Sequence, residues 1–165
     1  MAYTGLNTIQ LRNALLENEI TKPFFSGIFP MDQLKNISAP PKLILVNTDP
    51  SYLPGKHWLL FFRTKDRMEM FDSLGQELHE MNPAVQTFAH RFNEYVKYVS
   101  QRVQPLNTAL CGHYCLYYAY LRCKGDSMNE IVSRMPNPNW IAEYVPLLFD
   151  IPGIISDCQT CESVI

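Results

Sequence analysis

The chain has 165 residues, 47% hydrophobic and 18% charged, the composition of one globular domain spanning 1–165 rather than of a disordered chain. Lys+Arg 14 against Asp+Glu 16 leave a formal charge of -2, which argues against a strongly basic nucleic-acid or membrane-surface binder. No apolar run approaches the roughly 18 residues of a membrane span, and Met1-Ala2-Tyr3-Thr4-Gly5 has neither the basic nor the apolar part of a secretory signal, so secretion is not expected. The cysteines number 5, an odd count that leaves at least one thiol free and does not suggest a disulfide framework.

In chain order, a first helix is expected from Thr8 to Leu16, with Thr8 as its cap and Ile9, Leu11, Leu15 and Leu16 as its apolar side. Phe24, Phe25, Gly27, Phe29 and Pro30 read as a loop whose aromatics anchor in the core. Lys42–Asn47, His57–Arg63 and Met68–Asp72 read as strands, the last two joined as a hairpin by the polar turn Thr64–Arg67. The second of these strands is apolar on both faces, so it belongs inside a sheet covered on both sides.

Asn82-Pro83 opens a helix whose apolar face runs through Val85, Phe88, Ala89, Phe92, Val96 and Val99. A further helix from about Asn107 or Thr108 to Cys123 is apolar around most of its circumference, so it is expected to be central and buried, ending at Gly125. Ser127-Met128-Asn129-Glu130 is a capping box for the next helix. Asn139 is the expected cap of a last helix, with Pro146 disturbing it early.

The hairpin places chemistry. With Lys65-Asp66 at the turn, residues whose numbers sum to 131 face each other, so Leu59 opposes Asp72 and His57 opposes Leu74. His57 and Asp72 then share one face of the sheet as diagonal neighbours; a slip of one residue would separate them. Alone, His57 reads better as a strand-end structural histidine and Asp72 as a turn residue in Asp72-Ser73-Leu74-Gly75. Together they make the orienting pair of a general base, the carboxylate fixing the tautomer and stabilising the imidazolium.

Cys111 lies in the first turn of the expected central helix, where unpaired N–H groups and the helix dipole favour a thiolate that such a base would serve. Cys115 and Cys123, deeper in that helix, read as core thiols. Cys158-x-x-Cys161 is one half of a zinc knuckle without a second pair, so no metal is assigned. The amide of Gln104, with the backbone N–H of Cys111, could donate to an oxyanion.

These residues resemble a known family. Gly55-Lys56-His57-Trp58, Phe71-Asp72-Ser73-Leu74-Gly75 and the segment Gln104 to Cys115, in that order, are similar to the adenovirus protease (adenain) family, in the wider group of cysteine proteases that includes the SUMO-specific proteases. Pro23–Pro30 and Leu45-Val46-Asn47-Thr48 resemble adenain's N-terminal region and first core strand, and the similarity spans roughly residues 10–125. The resemblance implies an α+β fold with a mixed or antiparallel sheet flanked by helices, and a buried central helix carrying the nucleophile. It implies Cys111 as nucleophile, His57 as base, Asp72 as orienting acid and Gln104 as oxyanion donor, with Trp58 and Gly112 at the substrate cleft. No cofactor is implied. The implied substrates are viral precursor proteins cut at small or glycine-containing sites during virion maturation, by a viral protein acting in the host cell and in the virion.

Some features depart from that family. The acid is Asp72 where mammalian viruses usually carry Glu. The charge of -2 contrasts with a basic, DNA-activated family. No cysteine lies between Asn82 and Gln104 to bond an activating peptide. Activation by DNA or by a disulfide-linked peptide is therefore not expected, although an activating peptide of another kind stays open. The same catalytic residues would also serve a protease that removes SUMO or ubiquitin-like proteins, and a non-catalytic interaction domain on this fold is the reading from outside the enzyme class.

Overall fold

Trp58-Leu59-Leu60-Phe61-Phe62-Arg63 has no polar face, and it forms the centre of the sheet. The computed structural model describes residues 3–152. Five strands, β1 (Phe25–Pro30), β2 (Leu43–Asn47), β3 (Trp58–Arg63), β4 (Met68–Phe71) and β5 (Val96–Tyr98), lie side by side in that order. β2–β3 and β3–β4 are antiparallel, while β1 joins β2 and β5 joins β4 in parallel. Around the sheet pack α1 (Thr8–Glu17), α2 (Pro83–Arg91), α3 (Cys111–Lys124), α4 (Met128–Ser133) and α5 (Pro138–Leu148). This is the expected α+β architecture with a mixed sheet. Among the described residues no helix is long and apolar enough to cross a membrane.

Each strand divides its side chains between two cores, as a pleat requires. Leu43, Leu45, Leu60, Phe62 and Phe71 meet α1, α3, α4 and α5 on one face. Ile44, Val46, Leu59, Phe61, Met68 and Met70 meet α2 on the other. Tyr114, Cys115, Leu116, Tyr118 and Ala119 of α3 are wholly buried, and the Tyr118 ring stacks on Phe71 at 4.3 Å. The hairpin pairs Leu60 with Phe71, Phe61 with Met70 and Arg63 with Met68, all summing to 131 as the turn demands.

Several elements differ from the sequence reading. The supposed loop at Phe25–Pro30 is β1, whose backbone takes the open edge of β2 through a register shift at Gly27. The helix from Pro83 stops at Arg91, and Val96 lies instead in β5, where pairing with the free edge of β4 outweighs continued helical periodicity. α3 begins at Cys111, not at Asn107 or Thr108. Asn7, through a capping box with Gln10, caps α1, leaving Ile9 and Leu16 exposed. Asn137 caps α5, and Pro146 does not end it, because burial of Ile141, Ala142, Val145 and Pro146 offsets the lost backbone bond.

One ionic cluster bolts the sheet to α3. Glu69 of β4 is completely buried and takes Arg67 at 2.9 Å and Arg122 of α3 at 2.8 Å. The Arg122 guanidinium also lies over the Phe62 ring, 4.5 Å from its centroid. Removing the central charge strands Arg122, whereas Arg67 reaches water. Glu69→Ala is therefore expected to cost about 3 kcal/mol and Arg67→Ala no more than about 1 kcal/mol, read from urea unfolding midpoints. Equal effects would mean that Glu69 is not the centre of the cluster.

Candidate active site

β4 ends in a tight turn, Asp72-Ser73-Leu74-Gly75, closed by a 3.0 Å bond from the Gly75 N–H to the Asp72 carbonyl. The Asp72 carboxylate folds back on its own turn, Oδ1 accepting from the Leu74 N–H at 2.9 Å and Oδ2 from the Gln76 N–H at 3.1 Å. Oδ1 also lies 2.5 Å from Nε2 of His57, the residue that leads into β3. The hairpin register brings the two groups onto one face, and the backbone donors stop the carboxylate from turning away. With Nε2 engaged by Asp72, Nδ1 is the ring nitrogen left for Cys111.

The same turn holds Gln104. The Ser73 carbonyl accepts the N–H groups of Val103 and Gln104, both at 2.9 Å, and Ser73 Oγ donates to Gln104 Oε1 at 2.6 Å. Gln104 Nε2 donates to the Thr108 carbonyl at 2.8 Å. A carbonyl only accepts, so this bond fixes which end of the amide is nitrogen and leaves its second N–H for a ligand. Gly75 permits the approach: its φ is +69°, and a Cβ there would stand 2.5 Å from the Arg102 nitrogen. Sequence reasoning missed Ser73, since a serine in a turn carries no chemical signal until its partner is known.

Cys111 is the first residue of α3, and Leu110 supplies no side-chain cap. The first helical bond runs from the Tyr114 N–H to the Leu110 carbonyl at 3.0 Å. The N–H groups of Cys111, Gly112 and His113 therefore have no acceptor within the helix, which makes its start a donor site for an anion. Cys111, His57, Gln104, Trp58 and Gly55 line one cavity of about 370 Å³. Trp58 thus lies at the cleft. Gly112 does not: one residue further round the helix, it faces inward, where a Cβ would meet Leu11 and Leu6 at 3.2–3.3 Å.

The electrostatics separate residues of the same type. Burial disfavours the His57 imidazolium, but the hydrogen bonds to Asp72 and Cys111, with the charges of both, outweigh it and lift its pKa to about 9. Burial alone pulls His113 down to about 4, and its Nδ1 has no partner among the described residues. Of these two buried histidines, the surroundings favour the protonated form in His57 and the neutral form in His113. Burial pushes the Cys115 thiol well up, and that thiol donates to the Trp58 carbonyl at 3.6 Å. Burial raises Cys123 to about 12. Cys158 and Cys161 lie outside the described residues.

No family model matches the chain, and no curated protein matches its sequence. Among solved structures, the chain is similar to the ASFV pS273R protease. In the selenomethionine form the TM-score is 0.62 at 19% identity, covering 88% of this chain and 68% of that one. A second structure of the same protease gives 0.60 at 18% identity, over 88% and 67%. What these proteins share is the fold, a mixed sheet flanked by helices.

The state of His113 has a measurable consequence. Its folded pKa of about 4 lies below the unfolded value near 6.5, so only the unfolded chain takes up this proton between those limits. The associated stability is complete above pH 6.5 and is lost as pH falls towards 4, by roughly 3 kcal/mol in total. In His113→Leu that part of the slope should vanish from unfolding free energies measured across the window; an unchanged slope would place the titration elsewhere.

Proposed function

We propose that the chain is a cysteine endopeptidase with Cys111 as its nucleophile. The observation that carries this reading is the His57–Asp72 pair, at 2.5 Å, whose His57 lines one cavity with a cysteine at the start of a helix. His57 takes the Cys111 thiol proton, the sulfur attacks the substrate carbonyl carbon, and the electron pair of the C=O bond moves onto oxygen. The Cys111 N–H and the free N–H of Gln104 receive that oxyanion. As it collapses, the C–N bond breaks and the His57 imidazolium passes its proton to the leaving amine. His57, then neutral, takes a proton from water as the water oxygen attacks the thioester; the C–S bond breaks, His57 returns the proton to the Cys111 sulfur, and the acid product leaves. Asp72 keeps the imidazole in one tautomer and orientation throughout.

The finer reading is that of a viral enzyme, acting inside the host cell and in the virion, that matures structural precursor proteins at small or glycine-containing sites. The motif resemblance to adenain and the likeness of fold to the ASFV pS273R protease support it. Activation by a bound peptide remains compatible with this reading; a disulfide-linked activator or DNA is not part of it.

Peptide-library proteolysis tests the chemistry. Cys111→Ala should abolish cleavage while leaving the unfolding midpoint nearly unchanged. Gln104→Ala should lower kcat by about 10²–10³-fold, and Ser73→Ala by less, because the Thr108 bond still holds the amide. Full activity in Cys111→Ala would overturn the mechanism. The pH profile is a second check. Proton donation to the leaving amine needs imidazolium, so kcat/KM should fall as pH rises through about 9. Asp72→Asn removes one cause of the elevation and should move that limb to lower pH; a limb that stays in place would exclude His57 as its source.

A further inference from the structure

The cleft continues on both sides of the reacting pair, and acyl-transfer chemistry says which part of a substrate lies on each side. The leaving amine must meet His57. The segment after the scissile bond therefore passes His57 into a cavity of about 230 Å³ that His57 lines and Cys111 does not. On the peptidase reading the acyl segment would then lie on the side of the cleft lined by Trp58 and Gly55. Those two residues also line a further cavity of about 260 Å³.

That acyl-side cavity has a definite chemistry. Arg12 of α1 lines it together with Asn47 and Asp49. Asp49 Oδ2 is buried and has no hydrogen-bond partner among the described residues. A desolvated acceptor without a donor is unfavourable, and a donor from a bound molecule would relieve it. Asn47 accepts the Asp49 backbone N–H through Oδ1 at 2.9 Å, and its own amide N–H groups do not reach Asp49 Oδ2. Neither Asp49 nor Arg12 belongs to any ion pair among the described residues. The cavity thus offers one carboxylate acceptor and one guanidinium donor, each uncommitted.

We propose that the Arg12–Asp49 cavity is a specificity subsite for a carboxamide side chain, glutamine or asparagine, on the acyl side of the scissile bond. This inference rests on the peptidase reading. A carboxamide gives its N–H to Asp49 and accepts from Arg12 through its carbonyl. Lysine would satisfy Asp49 but meet the like charge of Arg12, and glutamate would do the reverse. An aliphatic side chain would bury both groups without partners.

The test is a positional scan of internally quenched peptides around a cleaved sequence, placing Gln, Asn, Lys, Glu, Leu and Ala in turn at each acyl-side position. At one position Gln or Asn should exceed the others by about tenfold or more in kcat/KM. Asp49→Ala should shift that preference towards Glu, and Arg12→Ala towards Lys; loss of folding alone would not produce opposite shifts. A flat profile, a preference for Lys, Glu or Leu by the wild type, or a carboxamide preference that survives both substitutions overturns the subsite and leaves the peptidase reading intact. Absence of cleavage of any peptide overturns both.

Discussion

The turn Asp72-Ser73-Leu74-Gly75 is the constraint on which the rest of the site depends. Its side chain at Asp72 holds His57, while its carbonyl and hydroxyl at Ser73 hold Gln104. The left-handed backbone of Gly75 lets the segment carrying Gln104 pass close enough to be held. Two groups far apart in sequence are thus indexed to one short piece of chain, anchored in turn by the β3–β4 register. Small displacements of the turn would move both groups together, which keeps their mutual geometry intact better than separate supports would.

The start of α3 supplies the third element by a different route. Within one helix the chain assigns Cys111, His113 and Cys115 distinct states through depth and direction alone. Cys111 lies where the backbone N–H groups are unspent and the cleft is open. His113 and Cys115 lie among apolar side chains, where desolvation favours their neutral forms. The Glu69 cluster ties this helix to β4, the strand that ends in the turn. Cys111 and His57 are therefore fixed to each other through buried structure as well as across the cleft.

Much of this was legible in the sequence, for identifiable reasons. The polar turn Thr64–Arg67 between two apolar runs set the hairpin register, and the register set the His57–Asp72 face. Local signals also served at Gly125, which takes a φ of +111° at the end of α3, and at the Ser127 capping box. What escaped depended on partners remote in sequence. Val96 continued a helical spacing perfectly well, and only the free edge of β4 made it a strand. β1 likewise needed the edge of β2. Ser73 and Glu69 had no visible role until Gln104 and Arg122 arrived beside them. The inward turn of Gly112 required knowing that α3 starts at Cys111 and that α1 packs against it.

Asp72 also shows that structural and chemical readings of a residue need not compete. Its backbone closes the turn and its carboxylate bonds two N–H groups of that turn, which is ordinary turn chemistry. Those same bonds hold the carboxylate within hydrogen-bond distance of His57. A shorter acid suits this arrangement. The carboxylate of aspartate reaches its own turn's N–H groups, as in an Asx turn, whereas glutamate would carry the group one methylene further out. The turn itself, rather than a separate neighbour, supports this carboxylate.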